Sequence, residues 1–254
     1  MHNYKGIFPG VFTMGNVVCG FLSILSALEG HVTAACWFVV LAGVADVLDG
    51  KAARIAGATS QFGVELDSLA DFLSFGAAPA VLVYSVRLNA LGKLGLIISI
   101  MYIMAAAYRL ARYNIMADSE EKRDFVGMPV PLAAFGLVSY IIFSYNLWGE
   151  LRYEDVLVTM IAVFSFVMVS QIQYDTWPET FSTRWERIKA LALVVAVIGL
   201  VIRPRLLLFP MVAAYILFGL AREAYRLFYV GVGKVTGRPY GRRKTDRKII
   251  DESE

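Results

Sequence analysis

Apolar residues run along this chain in blocks of roughly 15–22, parted by short polar stretches, and about 20 such residues cross a bilayer as a helix. The blocks predict eight spans, at about 10–28, 33–48, 64–86, 93–113, 128–147, 155–172, 188–202 and 206–228. The pattern predicts an all-α fold, a polytopic transmembrane helix bundle. The last two spans are parted only by Arg203-Pro204-Arg205, which reads as a tight turn. The first block, Phe8 to Leu28, has a thin charged flank and no small-residue cleavage site before a soluble domain, so it reads as a retained helix and not a signal peptide. Beyond the last block, 230–254 is polar and basic. The expected organisation is therefore a transmembrane catalytic domain over 1–229 and a basic cytoplasmic tail over 230–254.

Composition agrees with this reading. Hydrophobic residues make up 58% of the 254, against about 45–50% in soluble domains. Charge adds an orientation. With the N-terminus inside and eight crossings, 19 of the 24 Lys and Arg fall on the cytoplasmic side. Arg87, Lys93, Arg152, Arg203 and Arg205 stay outside, an asymmetry that fits the positive-inside rule. Trp148, Tyr153, Trp177 and Trp185 sit at span ends and read as interface anchors. Cys19 and Cys36 lie in apolar blocks without CxxC spacing and read as buried, unpaired thiols. His2 and His31 are the only histidines, so the chemistry must use carboxylates and arginines.

Those groups are concentrated in one stretch. It reads Asp46-Val-Leu-Asp49-Gly50-Lys-Ala-Ala53-Arg54, then eight residues, then Gly63-Val-Glu-Leu-Asp67-Ser-Leu-Ala-Asp71. A carboxylate at membrane depth is costly and marks a site. Helical spacing puts Asp46, Asp49 and Ala53 on one face of the second helix, and Gly63, Asp67 and Asp71 on one face of the third. If the helices pack antiparallel, the carboxylate pairs converge, and they repel unless cations lie between them. Hard divalent cations suit such oxygen ligands. Four aspartates suffice for two, at the separation of about 3.5–4 Å used for displacement at phosphorus. Gly50, Ala53 and Gly63 keep the facing surfaces open, and Arg54 offers a fork to phosphate oxygens. The same glycines could instead serve close helix packing. Carboxylates in a membrane also fit an ion transporter, although these lie beside Lys51 and Arg54 at a helix end.

The stretch resembles the signature of the CDP-alcohol phosphotransferase family, D-x2-D-G-x2-A-R-x8-G-x3-D-x3-D, at every specified position. The opening Phe8-Pro9-Gly-Val-Phe-Thr13-Met-Gly-Asn16-Val-Val-Cys19-Gly20 is similar to the first helix of the family's phosphatidylserine synthase branch. It departs at Gly10, where the family usually has asparagine. Asp71-Phe-Leu-Ser74-Phe75-Gly76-Ala-Ala-Pro79-Ala, Tyr108-Arg109-Leu-Ala-Arg112-Tyr-Asn114 and Phe125-Val-Gly127-Met-Pro129-Val-Pro131 extend the likeness over about the first 135 residues.

The resemblance implies a six-helix core, with the last two spans outside it. It implies transfer of a phosphatidyl group from CDP-diacylglycerol, or its archaeal ether counterpart, to the hydroxyl of L-serine, with release of CMP. Asp46, Asp49, Asp67 and Asp71 would bind two Mg²⁺ or Mn²⁺ ions, and Asp71 would also be the general base. Asp46, Gly50, Ala53, Arg54 and Gly63 would border the nucleotide. For the acceptor, Arg109, Arg112 and Asn114 near the cytoplasmic end of the fourth span are the candidates, since a guanidinium suits a carboxylate or phosphate. The alternative is that both arginines only obey the positive-inside rule. With no cysteine, histidine or lysine poised as nucleophile, direct displacement is the simpler expectation. Glycerol phosphate or inositol phosphate is the alternative acceptor. Membrane lipids are expected partners, nucleic acid is not, and a homodimer is expected.

Overall fold

The computed structural model describes residues 7–56, 61–117, 127–170 and 202–235, and every regular element among them is helical. α1 is Ile7–Leu28, α2 Val32–Ala56, α3 Gln61–Asp71, α4 Ala78–Val86 and α5 Lys93–Ala117. α6 is Val130–Trp148, α7 Glu154–Val169 and α8 Pro204–Val235. The chain divides into two units, Met1–Ala213 and Ala214–Glu254, and the site described below lies in the first. Among the described residues, five segments are long and apolar enough to cross a membrane: Gly10–Leu28, Val32–Ala52, Gln61–Val86, Lys93–Ile115 and Val130–Trp148. α7 has 16 residues, about 24 Å at 1.5 Å per residue. The expected span at 188–202, but for its last residue, and the tail beyond 235 lie outside the described residues. Arg203-Pro204-Arg205, which reads as a turn in the sequence, opens α8: the backbone N–H groups of Leu206 and Leu207 donate to the Arg203 carbonyl.

α1 is built inside-out relative to a soluble helix. On α1, Thr13, Asn16, Ser23 and Ala27 are buried, while Val11, Met14, Val18, Phe21, Leu25 and Leu28 face outward. Between membrane helices there is no hydrophobic drive, so contact falls to small and polar residues that let backbones approach. α1 packs most extensively on α2. Thr13 meets Asp49, and Ser23 donates to the Ala35 carbonyl at 2.9 Å, so the two helices run antiparallel.

Hydropathy predicts one continuous helix over 64–86 for the third span. The span instead carries a π turn at Phe72–Ala77 between α3 and α4. Pro79 supplies the reason. It has no N–H for the carbonyl four residues back, and its ring crowds that carbonyl. That carbonyl belongs to Phe75, and the fully buried Tyr102 of α5 donates to it at 3.1 Å. The wider π geometry, often found at functional sites, follows Asp71 directly. Gly20 lets α1 lie against this turn, where a Cβ would fall on Ser74 Oγ and 3.0 Å from its Cα.

Candidate active site

Three helices assemble the site. α2 contributes Asp46 and Asp49, α3 contributes Asp67 and Asp71, and α1 contributes the side chains that bond two of these. One carboxylate oxygen from each of Asp46, Asp67 and Asp71 lies within 4.8 Å of the other two. Faces set by positions three and four apart on α2 and α3 meet at these carboxylates, as helical spacing requires.

Asp49 sits differently. It is 6% exposed and accepts a hydrogen bond from the Thr13 hydroxyl, while its Oδ1 has no hydrogen-bond partner among the described residues. It remains within electrostatic reach of Asp46 and Asp67. Asp71 accepts a hydrogen bond from Asn16 Nδ2 at 3.1 Å. Thr13 and Asn16, one turn apart on α1, thus each bond one carboxylate of the acidic stretch. Spacing within 46–71 carries no sign of them. The available signal is polar residues three apart in an otherwise apolar span.

The donor set suits a divalent cation. It is all carboxylate oxygen, half-buried, and concentrates negative charge that hard cations offset. Asp49 Oδ1, buried and without a partner among the described residues, is a further oxygen of the same kind. No other cluster of three or more metal-ligating side chains occurs among the described residues.

Around the carboxylates, the remaining expected residues are placed as follows. Gly50 is exposed, with open space where a Cβ would project, and Gly63 is exposed at the start of α3. Ala53 and Arg54 continue α2 beyond Asp49, and their side chains lie outside the described residues. Arg109 of α5 is only 9% exposed, stacks 5.3 Å from the Tyr113 ring centroid, and lies within electrostatic reach of Asp71. Its Nε has no hydrogen-bond partner among the described residues. Arg112 is half-buried one turn on. Asn114 bonds to Ser68 at 3.0 Å and to Glu65 at 3.4 Å, joining the end of α5 to α3.

Residues 6–169 match the family model for CDP-alcohol phosphatidyltransferase. The chain is 33% identical over 218 residues to a CDP-diacylglycerol–serine O-phosphatidyltransferase of Helicobacter pylori, covering 85% of this chain and 90% of that protein. It is 36% identical over 166 residues to the enzyme of the same name from Bacillus subtilis, covering 65% of this chain and 88% of the relative. An archaetidylserine synthase of Methanothermobacter thermautotrophicus is 34% identical over 168 residues, covering 65% and 68%.

Proposed function

The chain belongs to the CDP-alcohol phosphatidyltransferase family, and from that premise we propose that it transfers a phosphatidyl group from CDP-diacylglycerol, or its archaeal ether counterpart, to the hydroxyl of L-serine. The serine oxygen forms a bond to the lipid-side phosphorus, the bond from that phosphorus to the bridging oxygen breaks, and CMP leaves with the electron pair. The observation that carries this is the convergence of Asp46, Asp67 and Asp71 oxygens within 4.8 Å, with a buried arginine beside Asp71.

Each residue has a task in this reading. Asp46, Asp49, Asp67 and Asp71 hold two divalent cations, Mg²⁺ or Mn²⁺. When bound, these neutralise the diphosphate and stabilise charge on the departing CMP. Asp71 takes the proton of the serine hydroxyl, a contribution of about 10²–10⁴-fold for a placed base. The open face at Gly50 leaves room for the nucleotide, with Gly63, Ala53 and Arg54 at its edge. Arg109, whose Nε lacks a partner among the described residues, binds the serine carboxylate or the transferring phosphate, and Arg112 and Asn114 border the same end of α5. The site faces the cytoplasm, where a soluble acceptor is available, and the protein works as a homodimer.

The test is CMP release by purified protein from CDP-diacylglycerol with L-serine, glycerol 3-phosphate or inositol 1-phosphate, each with Mg²⁺ and with Mn²⁺. Serine-dependent release and a phosphatidylserine product are expected. Release with a phosphorylated acceptor but not with serine overturns the acceptor, and no release with any alcohol overturns the reaction.

A further inference from the structure

Asp71 ends α3, and the π turn begins at the next residue. A carboxylate there does not choose its own orientation, because the terminal torsion of aspartate is broad and roughly two-fold. The contact that makes the choice comes from α1. Asn16 is fully buried and donates from Nδ2 to Asp71 Oδ1 at 3.1 Å. Asn16 is itself fixed, since the Ser74 hydroxyl donates to its backbone carbonyl at 2.9 Å and Gly20 brings α1 against Ser74 one turn further on. Its amide is only half used, because Asn16 Oδ1 is buried and has no hydrogen-bond partner among the described residues. Buried amides that serve packing alone normally satisfy both ends.

We infer that Asn16 is a positioning residue for the transfer: its amide occupies Asp71 Oδ1 and thereby presents Asp71 Oδ2 to the cation and to the acceptor hydroxyl. The inference deepens the proposed reaction and rests on Asp71 having its place in it. The donor contact also stops the carboxylate from turning away from Asp46 and Asp67, whose oxygens it must meet. Asn16 therefore acts on the step that uses Asp71 and not on the binding of the nucleotide half of the donor lipid.

A double-mutant cycle tests this, with two readouts. Asn16→Ala, Asp71→Ala and the double variant are purified in detergent alongside the parent. Mn²⁺ binding without substrate is followed by calorimetry, and CMP release gives kcat and KM. Asn16→Ala should lower kcat with serine by about 10–100-fold, as loss of a hydrogen bond to a charged group does. KM for CDP-diacylglycerol should be unchanged, and Mn²⁺ binding should weaken several-fold. In the Asp71→Ala background the same substitution should shift Mn²⁺ binding no further. Parental kcat and Mn²⁺ affinity in Asn16→Ala overturn the inference, and so does an effect on Mn²⁺ that persists undiminished without Asp71. Asn16→Ser, carried in parallel, completes the cycle if the alanine variant does not fold. If the parent releases no CMP with serine, the proposed acceptor falls, while the Mn²⁺ cycle still decides Asn16.

Discussion

In the proposed reaction Asp71 meets two demands at once: its carboxylate joins Asp46 and Asp67 around a cation, and it takes a proton from an alcohol. Asp71→Asn separates them. The amide keeps the shape and one acceptor oxygen but cannot take the proton. Turnover should fall by at least about 10²-fold, the contribution of a placed base. CDP-diacylglycerol binding, measured by equilibrium dialysis, should persist, and a near-parental rate at saturating metal would remove Asp71 from that role. Arg109→Ala should lower kcat/KM by about 10–100-fold, the loss of about 1.5–3 kcal/mol from one charged hydrogen bond. A rise confined to the serine KM would assign Arg109 to the carboxylate, and a fall in kcat would assign it to phosphate. The acidic stretch is legible in the sequence because helical spacing alone brings its carboxylates to one face. Thr13 and Asn16 belong to the family-like first helix, but their tasks are not legible there, since a polar residue in an apolar span does not say which distant carboxylate it meets. Spacing groups Asp49 with the other three aspartates, and its bond to Thr13, 36 residues away, is visible only once the helices pack.

At the scale of elements, α2 and α3 are two helices forced to bring like charges together. Without a counter-ion their carboxylates repel across a partly buried interface, so a cation should stabilise the pair as well as serve turnover. A ligand at 100 times its Kd adds about 2.7 kcal/mol. Stripping metal with EDTA should therefore abolish CMP release and lower Tm in detergent, and Mg²⁺ or Mn²⁺ should restore both. Turnover that survives chelation would refute a metal-dependent site. The π turn is not legible as such, though Pro79 stands in the sequence as its cause. Periodicity marks the span 64–86 as apolar, but it does not say that the Phe75 carbonyl will find Tyr102 27 residues on. Tyr102→Phe leaves that buried carbonyl without its donor, at a cost of about 1–3 kcal/mol. Thermal unfolding should register the loss, and an unchanged Tm would mean the turn is held by other contacts.

Over the whole molecule, the two ends of the first unit differ in chemistry. One end holds the carboxylates with Arg109 and Arg112. At the other, Arg87 pairs with Glu154 at 2.8 Å, and the Arg152 guanidinium lies 5.8 Å from the Trp148 ring centroid and 5.6 Å from that of Tyr153. Aromatic and basic side chains at helix ends mark a membrane–water boundary, where an amphipathic ring has one wet side. The antiparallel helices carry this polarity in alternation, which is why counting Lys and Arg loop by loop yields an orientation from sequence. Length is harder to read. Hydropathy predicts a span at 155–172, yet α7 is only 16 residues long, because Ser170 leaves helical geometry with ψ 164°. The orientation itself is open to direct test. Cys19 is half-buried and Cys36 buried, so a cysteine-free background is reached by Cys19→Ala and Cys36→Ala. In that background, Glu150→Cys, exposed between α6 and α7, should react with a membrane-impermeant maleimide added to intact cells. Gln61→Cys, exposed at the start of α3, the helix that carries Asp67 and Asp71, should react only after permeabilisation. The reverse pattern would put the site on the outer face, away from cytoplasmic serine, and would overturn the topology derived from the basic residues.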